Sequence, residues 1–288
     1  MTTFQRVSNA LNRLMPGLMH LATLPLAVLS PRFRSEALER LTQEMNTSVS
    51  IPGGTIRFHT PSPLLLWRAA SLLGKEPDTI RWIDTFEQGA VFWDVGANVG
   101  VYSLYAAVRR SARVLSFEPS AANYWILSRN IQLNSLAHQV VAYCLALARR
   151  TELGILKLRS PAGGAAFSCF CPSREGSTPA GSAELELTQG MIGFSIDEFI
   201  AQFAPPFPNY IKIDVDGLEP PILLGAERTL KDPRLRSLMV EVNSPATPEL
   251  DDALALLERS GFGCVSRGDV QRTSDNETSV NHLFQRLQ

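Results

Sequence analysis

From Ala90 onward, short and nearly continuous apolar runs alternate with longer amphipathic segments. "AVFWDVGANVG" predicts a buried strand closing in a glycine turn, with "VYSLYAAVRR" as the helix behind it. "ARVLSFEPS" predicts a second strand, "AANYWILSRNIQLN" a second helix and "HQVVAYCLALA" a third strand. Strands without a polar face need cover on both sides, which is the property of a parallel sheet in an α/β fold. The alternation resumes at "MIGFSIDEFIAQF", followed by the strand "YIKIDVD" and the helix "PPILLGAERTL", stopped by Asp232-Pro233. "LRSLMVEVN" predicts a further strand, and "TPELDDALALLERSGF" a capped helix. "GCVSRG" and "VNHLFQRLQ" close the chain as two short strands able to pair antiparallel.

Two regions depart from this rhythm. Residues 1–50 predict a helical extension ending in the "IPGG" turn, and 51–288 the main domain, opening with the strand "TIRFHT" and one or two helices in "PLLLWRAASLLGKEPDTIRWIDTF". Residues 160–183, rich in Gly, Ser and Pro, interrupt the main domain as a flexible insertion or lid loop. No internal repeat is present.

Composition narrows the classes. A chain of 288 residues buries a sizeable core, and a net charge of −1 gives no overall bias toward nucleic acid or an anionic membrane. The apolar stretch "LMPGLMHLATLPLAVLS" carries His20, Pro16 and Pro25 and falls short of the roughly 20 residues a span requires. It predicts helix packing or a homodimer surface, with monotopic membrane contact as the alternative, and lacks the marks of a secretion signal. Cys144, Cys169, Cys171 and Cys264 do not form a paired scaffold, so a reducing, cytoplasmic setting is expected.

The turn "DVGANVG" stands where a strand meets a helix, at the carboxyl edge where open α/β sheets bind ligands. A dinucleotide fingerprint needs glycine where Asn98 stands, and a side chain there obstructs the approach of a pyrophosphate. Asp94, Gly96 and Gly100 therefore suit a small nucleoside ligand with a cationic, amino-acid-like tail. Glu118, at the end of the next strand, is placed to take both ribose hydroxyls of an adenosyl group.

"VFWDVGANVGVYSLYAA", "VLSFEPSAANYWILSRNIQLN", "YIKIDVDGLEPPILLGAERTL" and "LMVEVN" together resemble, in order and at matching spacings, the motifs of FkbM-type methyltransferases over about residues 51–288. The resemblance implies S-adenosylmethionine as cofactor and a class I methyltransferase fold. That fold is a Rossmann-like, seven-stranded, mostly parallel sheet with an antiparallel last strand. It implies that Asp94, Gly96, Ala97, Asn98 and Gly100 form the cofactor turn, that Tyr102 opens the helix behind it, that Glu118 is the ribose acid and that Pro119 shapes the adenine side. Asn134 and Ala146 match less distinctively. The implied acceptors are hydroxyls of small metabolites or glycans.

In that topology "YIKIDVDGLE" lies beside the first strand. Strand alternation would put Lys212, Asp214 and Asp216 on one face. A hydroxyl acceptor benefits from a base, with Asp214 as first choice, Asp216 or Glu219 as alternatives, and Lys212 holding one of them ionised. Glu219 reads equally as a helix-start acid, and Lys212 with Asp216 as a structural ion pair. Glu241 and Asn243 are expected to line the same cleft, and His59 and His282 to serve as base or substrate contact. No metal site is expected: "DVDG" resembles a calcium loop, but its twelfth position is Gly225 where glutamate is required. Magnesium on two carboxylates stays an alternative. Trp67, Trp82, Trp93 and Trp125 are expected as packing. A non-catalytic binding protein of the same fold, or a nicotinamide oxidoreductase, are the rival functions.

Overall fold

The computed structural model describes residues 30–166, 168–172, 187–244, 247–272 and 278–287. Residues 1–46 and 47–288 are separate compact units. In the first, helix α1 (Pro31–Glu44) starts at Ser30, whose Oγ accepts from the Phe33 N–H, with proline at its first position. None of its residues is buried. The apolar stretch expected to pack or dimerise lies mostly outside the described residues. No described helix is long and apolar enough to cross a membrane.

The helical extension expected through residue 50 stops earlier. Asn46–Ile51 is a strand (β1) that pairs with β2 (Gly54–His59) around the "PGG" turn. The residues after Met45 alternate in exposure, and Gly53, at φ 96°, supplies a turn conformation that disfavours other residues. Two short helices follow, α2 (Pro63–Ala70) and α3 (Pro77–Asp84), each with proline in its first turn.

The main sheet begins with β3 (Val91–Val95), α4 (Val101–Arg110), β4 (Arg113–Phe117), α5 (Ala121–Leu133) and β5 (Val140–Tyr143). The run expected as one third strand breaks after Tyr143. Its second half, β6 (Ala146–Leu147), belongs to a second sheet with β7 (Glu152–Leu158), β8 (Ser168–Pro172) and β9 (Leu187–Phe194), in the order β6-β9-β7-β8. The expected lid loop of 160–183 is thus partly a strand. The alternation in "SCFCP" lets Phe170 bury against Leu156 and Met191 in a small core of its own. Residues 173–183 lie outside the described residues.

The chain returns through α6 (Ile196–Phe203), β10 (Tyr210–Ile213), α7 (Glu219–Leu224), α8 (Glu227–Lys231), β11 (Ser237–Ser244), α9 (Pro248–Arg259), β12 (Phe262–Arg267), β13 (Gln271–Arg272) and β14 (Thr278–Arg286). The sheet order is β5-β4-β3-β10-β11-β14-β12, with β13 attached to β14. β3, β4, β5, β10 and β11 run parallel, and β14 pairs antiparallel with both β11 and β12. This is the mostly parallel seven-stranded α/β sheet with an antiparallel last strand that the sequence resemblance implies.

Strand alternation divides the core. Phe92, Val114, Val140, Tyr210 and Met239 face one layer, against residues of α2 to α5. Trp93, Val95, Leu115, Phe117, Ile211, Ile213, Leu238 and Val240 face the other, against α6, α7 and α9. Apolar burial on both faces is the dominant favourable term holding the parallel strands. Two asparagines one helical turn apart, Asn130 on α5 and Asn134 at its C-cap, tie β2 to this core. Asn130 accepts from the His59 N–H at 2.7 Å, and Asn134 both accepts from and donates to the Arg57 backbone, at 2.8 and 2.7 Å.

Arg286, at the end of β14, gathers chain ends that would otherwise bury unpaired carbonyls. Its guanidinium donates to the carbonyls of Leu235, Ser260, Leu230 and Asp232 at 2.7 to 2.9 Å and stacks over the Phe262 ring. Replacing Arg286 by Met keeps most of the volume and strands those carbonyls. The expected loss is about 2–4 kcal/mol in urea unfolding, and a variant as stable as wild type would refute the clamp.

Candidate functional site

The cluster at the carboxyl edge begins with strand register. Asp94 on β3 lies opposite Ser116 on β4 and Lys212 on β10, so three polar side chains continue the row that Phe92, Val114 and Tyr210 begin. Ser103, from the first turns of α4, donates to Asp94 Oδ2 at 2.5 Å and lies 2.7 Å from Ser116 Oγ. Burial raises the Asp94 carboxyl to about 6 even against Lys212 and the Ser103 hydrogen bond. Asp94 lies under the turn and does not line the cavity above it.

Lys212 is fully buried yet charged. It forms an ion pair with Asp214, stands 3.5 Å from Glu76 Oε2 and lies over the Tyr102 ring at 5.0 Å. Burial alone would lower its proton affinity, but Asp214, Glu76 and Asp94 together raise it above the ordinary lysine value. Glu76, which the sequence reading did not single out, precedes Pro77 at the start of α3. Burial would raise its carboxyl, but Lys212 and Lys75 hold it down at about 2, and Thr79 and Asn281 donate to it at 3.0 and 3.1 Å. Its sequence context announces only a helix start; nothing local tells that it meets Lys212.

The strand β10 ends at Ile213, so Asp214 and Asp216 sit on the following turn instead of sharing the strand face with Lys212 as alternation predicted. Asp216 has φ 56° and is exposed, while Asp214 is partly exposed to the cavity. Glu219 turns away from the cavity. It accepts from the N–H groups of Val215 and Gly217 at 2.9 and 3.2 Å, clamping this turn, and burial pushes its carboxyl up to about 7. That is the helix-start role. The close approach of the two turns dictates Gly96: at φ 81°, an added Cβ would stand 1.9 Å from the Asp214 carbonyl oxygen. Gly100, at φ 83°, would meet Leu127 in the same way.

Above these turns opens a cavity of about 620 Å³. Gly96, Asn98, Glu118 and Pro119 line one side; Asp214, Asp216 and Glu241 line another; Arg68 and Trp67 of α2 close it. Glu118 is buried and accepts from the Asn98 N–H at 2.7 Å and the Ser120 N–H at 2.9 Å, while burial pushes its carboxyl up to about 7. Asn98, at φ 49°, donates from Nδ2 to Ala165 O at 2.9 Å, and its buried Oδ1 has no partner among the described residues. Glu241 accepts from Ser279 Oγ at 2.8 Å, and burial together with Asp214 pushes it up to about 8.

Other expectations fare differently. Ala97 and Tyr102 line a small recess of about 50 Å³ beside the cavity, with Lys212. His59 is buried at the end of β2 with its ring 5.6 Å from Trp125, and His282 faces away from Ser279 and Asn281 by strand alternation; neither lines the cavity. The Asn243 side chain lies outside the described residues. Trp82 and Trp93 are buried, but Trp67 and Trp125 are 50% and 56% exposed, so packing accounts for only two of the four tryptophans. Arg68 and Asn123, also missed, enter the cavity from α2 and α5. An arginine inside the apolar run "LLLWRAASLL" was the available signal for the first.

Substituting Lys212 by Met leaves Glu76, Asp94 and Asp214 clustered without their counter-charge. The expected cost is about 3–5 kcal/mol at pH 8, smaller at pH 5 where Asp94 protonates; equal losses at both pH values would contradict the pairing. Glu219 has its carboxyl raised in the folded state, so its contribution is fully present below about pH 4.5 and is lost as pH rises through about 7. Glu219→Gln keeps an acceptor for the turn and removes that loss. Relative to wild type it is expected to gain on the order of 2 kcal/mol on going from pH 5 to pH 8, measured by denaturant unfolding at each pH.

The family model for the methyltransferase FkbM domain matches residues 94–264, from the glycine turn to β12. Hexuronic acid methyltransferase AglP of Haloferax volcanii is 26% identical over 204 residues, covering 69% of this chain and 75% of its own. Methyltransferase sdnD of Sordaria araneosa is 27% identical over 192 residues, covering 59% and 72%. The 31-O-demethyl-FK506 methyltransferase FkbM of Streptomyces tacrolimicus is 26% identical over 207 residues, covering 63% and 75%. With more than half of its length matched by one family model, on the strands and turns that build the cavity, the chain belongs to the FkbM methyltransferase family.

Proposed function

We propose that this methyltransferase uses S-adenosylmethionine to methylate an oxygen of a small-molecule or glycan acceptor. The observation that carries the reading is one cavity in which the glycine turn, the strand-end acid Glu118 and the carboxylates Asp214 and Glu241 meet. The residues fit such a cofactor. Gly96 has no room for a Cβ beside Asp214, Glu118 ends its strand with both oxygens oriented by donors, and the buried Asn98 Oδ1 has no partner among the described residues. Glu118 would hold the ribose hydroxyls, and Phe117, Pro119 and Leu145 would wall the adenine.

When bound, S-adenosylmethionine supplies an electrophilic methyl group on a sulfonium centre. The protein orients the acceptor oxygen and removes its proton. Asp214, the first choice from the sequence, is engaged by Lys212 in an ion pair. Its fixed negative charge suits a cationic neighbour. Glu241 lines the same cavity with one oxygen left by Ser279, and its raised proton affinity suits general-base work near neutral pH. Trp67, half exposed on the cavity wall, offers an aromatic face to a sugar ring, consistent with the hexuronic acid named for the Haloferax relative.

Calorimetric titration with S-adenosylmethionine and S-adenosylhomocysteine, followed by a screen of hexuronic acids and other glycans, tests the reading. Glu118→Ala is expected to weaken cofactor binding by about tenfold or more. Glu241→Gln is expected to retain binding while lowering turnover by about 10²-fold or more. Absence of cofactor binding by the wild-type protein would refute the cofactor, and unchanged turnover in Glu241→Gln would move the base elsewhere.

A further inference from the structure

Arg68 poses a question that the cavity walls do not answer. It rises from α2, upstream of the segment matched to the family, and its guanidinium is largely buried. Among the described residues it makes one hydrogen bond, from Nε to the Gly164 carbonyl at 2.5 Å, and no ion pair. No other described residue engages the rest of its donor fork. Burial pushes its proton affinity down, against the pull of Asp214, Asp216 and Glu118. A guanidinium removed from water without an anion in contact is costly, and a carboxylate is its best geometric match.

The recess next to it narrows what that carboxylate belongs to. This space of about 50 Å³ is lined by Arg68, Lys75, Glu76, Asp214, Tyr102 and the glycine turn. It contains three cations and two carboxylates; Lys212 is paired with Asp214 and Glu76, and the start of α4 adds the positive end of a helix. Neither Trp67 nor Glu241 reaches it, so it lies apart from the wall assigned to the acceptor. Arg68 also lies within electrostatic range of both Glu118 and Asp214, the two groups assigned to the ribose and to the cationic centre.

We infer that this recess seats the amino-acid arm of the cofactor, with Arg68 and Lys75 holding the α-carboxylate and the carboxylates of Glu76 and Asp214 facing the α-ammonium. The inference rests on S-adenosylmethionine being the cofactor and adds the residues that recognise its zwitterionic end. They come from α2, the start of α3 and the turn after β10, so a helix pair outside the family-matched segment completes the site.

The test compares S-adenosylhomocysteine with 5′-methylthioadenosine, which keeps the adenosine and sulfur but lacks the amino-acid arm. Both are titrated calorimetrically into wild type, Arg68→Gln and Arg68→Lys, with thermal unfolding as a check on folding. Wild type is expected to bind S-adenosylhomocysteine at least about tenfold tighter. Arg68→Gln is expected to lose about 10- to 100-fold of that affinity while binding of methylthioadenosine changes less than about twofold, and Arg68→Lys to lose less. Equal loss for both ligands would show that Arg68 acts only through the Gly164 loop and would overturn the inference. Unchanged binding of S-adenosylhomocysteine in folded Arg68→Gln would overturn it too, and would assign the guanidinium to the acceptor. If wild type binds neither ligand, the cofactor reading itself fails, a result distinct from either of these.

Discussion

The ammonium of Lys212 is the charge on which the carboxyl edge of the sheet depends. It lies at the end of β10 with no access to water, and Asp94, Asp214 and Glu76 approach it from β3, from the turn after β10 and from the start of α3. None of these carboxylates could lie so deep and so close without it, since buried like charges raise each other's proton affinity until one is protonated. One lysine therefore joins the glycine turn, the turn after β10 and the start of α3. It also separates the acids: Glu76, close to it, is held well below the usual carboxylate range, whereas Glu118, Glu219 and Glu241, outside its contact, are pushed up by burial.

That separation organises the cavity. Its floor is rigid because the two turns that form it lock each other. Gly96 lies against the Asp214 carbonyl, and Glu219 fixes the N–H groups of Val215 and Gly217. Its roof is the segment around Gly164 and Ala165, fastened by Asn98, Asn123 and Arg68, three side chains from three different elements. The residues that fasten the roof also line the space beneath it.

Much of this was legible in the chain. The strand-helix alternation, the glycine turn with Asn98 in place of a second glycine, Glu118 at the next strand end and the acidic run after "YIKI" are local patterns, and they fall on one sheet edge. Other residues were misread for equally local reasons. Asp216 follows the alternation of β10 on paper, but the strand ends before it. His282 lies one residue from Asn281, and period two turns it to the opposite face. Of the second sheet, β8 fell inside the loop expected over 160–183, because "SCFCP" is too short to declare itself without β7 beside it.

The sequence by itself determined the order of strands and helices, their buried faces and the turn chemistry at the edge, because these follow from periodicity and from the conformational limits of single residues. Only the tertiary structure decided the partners. Glu76 meets Lys212, Arg68 reaches between Glu118 and Asp214, and Arg286 collects the carbonyls of four distant residues. These contacts join positions far apart in the chain, and their strength comes from a desolvated interior that exists only after the sheet and its helices have packed.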